Sequence, residues 1–111
     1  MTADSFAVAT PIDNSVEMAA IFAALSNPAR IDILRHISNC QNDCCCKDIT
    51  DVLPLAQSTV SQHIKVLVEA GILIAETIHP RSRYVINENV LKQVAATTNT
   101  FLGSCCKETW C

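Results

Sequence analysis

Two short helical patterns separated by a proline constrain the fold of this chain most. Ile49, Val52 and Leu53 predict a short helix that Pro54 stops, because proline lacks the amide hydrogen that a helix interior needs. After a turn of about three residues, a second helix is predicted over residues 57–70. One apolar stripe anchors this second helix: Val60, Ile64, Leu67 and Val68.

A β-hairpin pattern follows the second of these helices. Gly71 can adopt the left-handed conformation that often follows a last helical turn. Residues 72–78 are rich in β-branched side chains, residues 79–82 place a proline where a turn favours it, and residues 83–86 predict a returning strand. This order predicts a winged helix-turn-helix, a mainly α fold with a small β-hairpin.

Two more helices are predicted before this unit. Asn14 and Glu17 have the spacing of a capping box, and residues 16–25 are almost entirely apolar. A helix that is apolar all round must be buried, which favours packing against a second subunit; packing within one core is the alternative. Asn27 and Pro28 then predict the start of the next helix. Its predicted apolar face repeats at three-residue steps: Ile31, Leu34 and Ile37.

A last helix is predicted after the hairpin, and Gly103 is expected to end it. We therefore divide the chain into an arm of residues 1–13, a folded domain of residues 14–103 and a cysteine-rich tail of residues 104–111. The apolar side of this helix is formed by Val90, Leu91, Val94, Ala95, Thr98 and Leu102.

Composition narrows the classes of function. A chain of 111 residues, half of them hydrophobic, can bury one core but has no room for a large catalytic cleft, so we expect no enzyme and no catalytic cofactor. No signal peptide or membrane span is apparent, which favours a cytoplasmic protein. In that reducing compartment seven cysteines are better explained as metal ligands or redox sensors than as a disulfide framework.

The second helix of the central pair carries small polar side chains that avoid its apolar stripe and could contact bases or phosphates in the major groove. Residues 57–83 hold three basic and two acidic side chains, against five basic and nine acidic elsewhere. The predicted DNA face is therefore the less acidic part of the chain, and affinity should depend on few phosphate contacts. The candidate DNA-binding residues are Gln57, Ser58, Thr59, Ser61, Gln62, His63, Lys65, Arg81 and Arg83.

Several motifs, in order, resemble the ArsR/SmtB family of metal-responsive repressors over residues 15–103. They are Leu25-Ser-Asn-Pro-Ala-Arg30 through Ile33-Leu34, Asp48-Ile49, Gln57-Ser-Thr-Val-Ser-Gln-His63, Leu67 and Ala70-Gly-Ile-Leu73. The resemblance implies a homodimer of winged helix-turn-helix subunits that represses an operon and leaves the palindromic operator DNA when an inducer binds. It does not identify the inducer.

The cysteines form two groups: one before the central helix pair, with Cys40, Cys44, Cys45 and Cys46, and one in the tail, with Cys105, Cys106 and Cys111. Thiolates without histidine prefer soft ions, so As(III), Sb(III), Cu(I) or thiol-reactive oxidants fit them, and we expect As(III) or Sb(III) as the inducer. The tail resembles an arsenic-sensing subgroup of the family, which implies that Cys105, Cys106 and Cys111 bind the metalloid. Adjacent cysteines point apart in regular structure, so we expect irregular backbone there. The alternative or second site is Cys44, Cys45 and Cys46, which resembles the thiol site of other arsenical-responsive relatives.

Other inducers fit the chain less well. Zinc-responsive relatives use histidine and acidic ligands on the last helix, where this chain has Glu88 as its single carboxylate. Cadmium and lead sensors add cysteines from the N-terminal arm, and this arm has none. A thiol redox or persulfide sensor of the same fold, or a Cd(II) or Cu(I) sensor, stays an alternative, although persulfide-sensing relatives have a cysteine where this chain has Arg35.

Overall fold

The computed structural model describes residues 15–40, 44–78 and 81–106, without the side chains of residues 44–48, 78 and 81. The predicted N-terminal arm, the Asn14 cap, the turn residues His79 and Pro80 and the tail residue Cys111 lie outside this part of the chain. The described elements are α1 (Ser15–Leu25), α2 (Pro28–Asn39), β1 (Cys44–Cys45), α3 (Cys46–Val52), α4 (Gln57–Glu69), β2 (Leu73–Ile78), β3 (Arg81–Ile86) and α5 (Glu88–Ser104). The predicted mainly α class with a small hairpin is confirmed.

The hydrophobic core lies where α2, α3 and α4 meet the start of β2. Burying an aliphatic side chain of this size stabilises the fold by about 1.5–3 kcal/mol. Because three helices share these side chains, the core also sets the orientation of α4. The side chains with no exposed surface are Ile33, Ile37, Ile49, Val60, Leu67 and Ile72.

The start of α2 confirms the sequence prediction. Asn27 is the N-cap, and its side-chain oxygen accepts a hydrogen bond of 2.8 Å from the amide of Ala29. The predicted apolar face of α2 is wrong at one position. Ile31 is 39% exposed, whereas Ile33 is fully buried. Two residues subtend about 200° on a helix, so both cannot face one core.

The sheet has the order β1-β3-β2, with antiparallel pairing throughout. The short strand β1, which we did not predict, pairs Cys44 with Tyr84 and Cys45 with Arg83. The hairpin turn is also shorter than predicted, because β3 already begins at Arg81, which pairs with Ile78. These pairings attach the first cysteine group to the central strand of the sheet.

The two glycines have different roles. Gly71 has a φ of 83°, which confirms the predicted left-handed residue after α4. Gly103 was expected to end α5, but the helix continues through it to Ser104. Its φ is not positive, so it acts as an ordinary helical residue there.

The outer helices leave apolar surface exposed. None of the 17 residues of α5 is buried, and on α1 only Ile21 and Ala24 are. The exposed fractions of Val16 and Leu102 are 77% and 51%, and those of Phe22 and Phe101 are 38% and 46%. No helix in the described part of the chain is long and apolar enough to cross a membrane.

Candidate nucleic-acid interface and thiol clusters

Helices α3 and α4 form the predicted helix-turn-helix, and residues 53–56 connect them. The side chains of Val60, Ile64 and Leu67 fix one side of α4 to the core. Ser58, Gln62 and Lys65 lie on the opposite side of the helix, as the 100° rotation per residue requires. The helix therefore presents a rigid polar face to solvent.

Most of the candidate DNA-binding side chains lie on this polar face. Six of the seven candidates on α4 are exposed, and their hydroxyl, amide and ammonium groups can donate or accept hydrogen bonds at base edges and phosphates. The N-cap, Ala56, makes no side-chain hydrogen bond to the first turn of α4. The six exposed residues are Gln57, Ser58, Thr59, Ser61, Gln62 and Lys65.

His63 differs from the other candidates on α4. Its side chain is half-buried, and its Nδ1 atom lies 3.3 Å from Nη1 of Arg30. Arg30 belongs to α2, and its guanidinium also contacts the end of α1. The structure thus places His63 in the packing between helices and separates it from the six exposed side chains.

The hairpin brings Arg83 next to an acidic partner. Glu76 and Arg83 are paired across β2 and β3, and Nε and Nη2 of Arg83 lie 3.1 Å and 2.5 Å from Oε1 of Glu76. Both side chains are partly exposed, at 43% for Glu76 and 37% for Arg83. Arg81 is the first residue of β3, and its side chain lies outside the described part.

The first cysteine group lies against the helix-turn-helix. Cys44 and Cys45 form β1, and Cys46 is the first residue of α3. Any ligand held by these residues would therefore lie beside both α3 and the central strand β3.

A histidine lies beside Cys40, the first cysteine of this group, whereas the sequence pattern predicts a thiolate-only site. Cys40 ends α2 as its C-cap, and its Sγ lies 3.4 Å from Nε2 of His36. The spacing of four residues was the available signal, since residues four apart share one face of a helix. Cys40 is also disulfide-bonded.

The second cysteine group lies at the end of α5. The amide of Cys105 bonds to the carbonyls of Phe101 and Leu102, and that of Cys106 bonds to Gly103. The backbone leaves the regular helix at this pair, because Cys105 is the C-cap that follows Ser104 and Cys106 lies in neither a helix nor a strand. Cys105 is exposed, while Cys106 is half-buried and its thiol donates to the Leu102 carbonyl at 3.4 Å.

Among the residues that the structure describes, no three histidine, cysteine or acidic side chains are grouped so that they could hold a metal ion.

Comparison with known proteins shows that this chain is similar to transcriptional regulators. A family model described as "Bacterial regulatory protein, arsR family" matches residues 27–75, which span α2, α3, α4 and the start of β2. The uncharacterized HTH-type transcriptional regulator YbzH of Bacillus subtilis (strain 168) is 33% identical over 88 residues, which cover 68% of this chain and 88% of the relative.

The arsenical resistance operon repressor of Bacillus subtilis (strain 168) is 31% identical over 67 residues, or 60% of this chain and 63% of that protein. A solved structure from Mycobacterium bovis superposes with a TM-score of 0.63 at 23% identity and covers 77% of this chain and 78% of that one. It is the homodimeric winged helix-turn-helix DNA-binding domain of a possible ArsR-family transcriptional regulator. These similarities are to transcriptional regulators and not to enzymes, which confirms the expectation drawn from composition.

Proposed function

The chain belongs to the ArsR family of bacterial transcriptional regulators, and from this premise we propose that it is a homodimeric repressor released from palindromic operator DNA by As(III) or Sb(III). Cysteine thiolates bind the metalloid in this proposal. The location in this proposal is cytoplasmic, where DNA is accessible and where reducing conditions would open the Cys40 disulfide.

The polar face of α4 is the observation that carries the DNA-binding part of the proposal. Three buried apolar residues hold α4 in place, and Ser58, Gln62 and Lys65 project from the opposite side. An α-helix fits the major groove of B-DNA, where glutamine pairs with adenine and lysine contacts guanine or phosphate. In a dimer, two such helices bind half-sites about one helical turn apart.

The exposed apolar residues of α1 and α5 support the homodimer. Met18, Ile21 and Phe22 of α1 line a shallow cleft with Val94, Thr97 and Thr98 of α5. The two helices together present a surface that a second copy can cover, which removes apolar area from water.

The two cysteine groups support metalloid induction. Cys46 begins α3, next to the DNA-binding helix, and Cys105 and Cys106 directly follow α5, one of the two helices proposed to form the dimer interface. Binding of a soft ion by Cys105, Cys106 and Cys111 would act at the end of α5 and shift the spacing of the two α4 helices. Release requires only that the metalloid binds the DNA-free form more tightly.

A thiol redox or persulfide switch is the second candidate function. The observation that favours it is Cys40, which is disulfide-bonded at the end of α2 and whose sulfur lies 3.4 Å from the His36 ring. Reduction of this disulfide would return a thiol at Cys40 beside the imidazole, and the thiolate is the species that reacts in thiol–disulfide exchange.

The test begins with selection of duplexes from a randomised pool by the reduced protein. The enriched duplex is then labelled, and its release is followed by fluorescence anisotropy during titration with arsenite, antimonite, Zn(II), Cd(II), Cu(I) and a persulfide donor. We expect release by arsenite and antimonite only. Failure to enrich any duplex would refute DNA binding, and release by the persulfide donor alone would replace the metalloid with a redox signal.

Two matched triple variants locate the inducing site. Replacing Cys105, Cys106 and Cys111 with serine should preserve DNA binding and abolish release by arsenite, because the trithiolate is lost. Replacing Cys44, Cys45 and Cys46 with serine serves as the control. If the control loses the response while the tail variant keeps it, the inducing site lies at the start of α3.

A further inference from the structure

Arg30 joins three helices through one side chain. Its Nε donates to the carbonyl of Ala24 at 2.8 Å, and its Nη2 donates to the carbonyl of Ala23 at 3.3 Å. Both carbonyls belong to the last turn of α1. The third contact runs from Nη1 to Nδ1 of His63 in α4, over 3.3 Å. Arg30 itself lies in the first turn of α2.

The chemistry of each contact explains why arginine occupies this position. The last carbonyls of a helix lack partners within the helix and carry partial negative charge, so a cation beside them is favourable. The planar guanidinium directs its donors along fixed and divergent directions, which lets one group reach both α1 and α4. The ammonium group of a lysine is a compact point charge and lacks this planar set of divergent donors.

The contact also selects a tautomer of the His63 ring. A guanidinium can only donate hydrogen bonds, so Nδ1 accepts in this contact and the neutral ring carries its proton on Nε2. With Nδ1 engaged, the ring has one orientation relative to Arg30. Because His63 lies between Gln62 and Ile64 on α4, this orientation constrains the helix that carries the polar face.

We propose that Arg30 is a positioning residue for DNA recognition, which holds α4 at a fixed angle to α1 through the His63 ring. The inference rests on the proposed DNA-binding function of α4. It adds a direct link between one of the proposed dimer helices and the helix that would contact bases. A displacement of α1 would reach α4 through this link as well as through the core.

A double-mutant cycle tests the link on the duplex enriched by the wild-type protein. Arg30→Lys keeps the charge, and therefore the general attraction to phosphate, but cannot contact both helices. His63→Leu removes the acceptor. We expect each single variant to weaken binding about tenfold, and the double variant to be no weaker than either single variant, because both remove the same contact. Additive losses would overturn the proposal.

A matched pair of amides at position 63 separates positioning from contact with DNA. Asparagine places its side-chain oxygen near the position of Nδ1, whereas glutamine reaches the position of Nε2. We expect His63→Asn to retain at least half of the wild-type affinity and His63→Gln to bind about tenfold more weakly. The reverse order would overturn the proposal, because it would show that His63 acts through Nε2 on the DNA.

Circular dichroism and thermal unfolding of each variant establish that it is folded before binding is measured. The experiment also distinguishes a failure of the role of Arg30 from a failure of the proposed DNA-binding function. If the wild-type protein binds no duplex, the proposed function fails. If the wild-type protein binds and Arg30→Lys binds equally well, only the role of Arg30 fails.

Discussion

At the scale of single residues, Glu76 offsets part of the positive charge that the hairpin would present to DNA in the proposed complex. It faces Arg83 across the two strands and contacts two of its guanidinium nitrogens. An ion pair with both members this exposed contributes only about 0–1 kcal/mol, so Arg83 can exchange its carboxylate for a phosphate at little cost. The Glu76–Arg83 pair would thus lower the affinity for DNA, which the net charge of −3 already limits.

Glu76→Gln should therefore bind the enriched duplex about two- to fivefold more tightly, since Arg83 no longer pairs with the carboxylate of Glu76. The slope of log affinity against log salt should steepen by about one if Arg83 gains a phosphate contact. Anisotropy titrations at several salt concentrations measure both quantities. Glu69→Gln, which removes the same charge from the far end of α4, is the control. Equal effects of the two variants would show that only net charge matters.

At the scale of elements, the two glycines show that one residue type has opposite effects in different backbone conformations. Gly71 has a φ of 83°, and a Cβ there would meet only Val90 Cγ2, at 4.0 Å. Substitution therefore strains the backbone without a steric clash. Gly103 is helical, and nothing lies within 4 Å of the position that a Cβ would occupy. A substitution there therefore changes stability only through the helix propensity of the new residue.

We expect Gly71→Ala to lower the free energy of unfolding by about 1–2 kcal/mol, the cost of a left-handed alanine. Gly103→Ala should raise it by up to about 1 kcal/mol, because alanine favours the helix. Urea denaturation followed by circular dichroism measures both. A loss of stability in Gly103→Ala would contradict the helical ending of α5 and would indicate that Gly103 terminates the helix.

At the scale of the whole molecule, α1 and α5 carry the apolar surface that the proposed second subunit covers. The core formed by α2, α3 and α4 uses almost none of α5, which has no buried residue. A helix with this much exposed apolar surface is stabilised by a partner that removes it from water. The distance between the two α4 helices, and with it the spacing of operator half-sites, then depends on this interface.

Phe101→Glu should convert the dimer into a folded monomer, since it places a charge in the proposed interface. Ile74→Glu is the matched control, because Ile74 is 43% exposed on β2 and Phe101 is 46% exposed on α5. Sedimentation equilibrium measures the association. We expect at least a tenfold weaker dimer for Phe101→Glu and an unchanged dimer for Ile74→Glu. An unaffected Phe101→Glu dimer would place the interface elsewhere.

Much of the fold could be predicted because its signals are local. The Asn27 cap, the stripe of α4 and the left-handed Gly71 each depend on a few neighbouring residues, and all are confirmed. The exposure of six candidate side chains on α4 depends on the same stripe. Their contact with DNA stays a prediction, as does the choice between the two cysteine groups.

Local patterns in the sequence predict the helices, the hairpin and the polar face of α4, because helical periodicity, caps and turns depend on residues close together in the chain. The packing of helices against one another buries Ile33 rather than Ile31, since neighbouring helices select which side of α2 enters the core. The tertiary structure also decided that β1 pairs with β3 and that Arg30 contacts His63. These contacts join residues far apart in the chain, so local sequence patterns do not predict them.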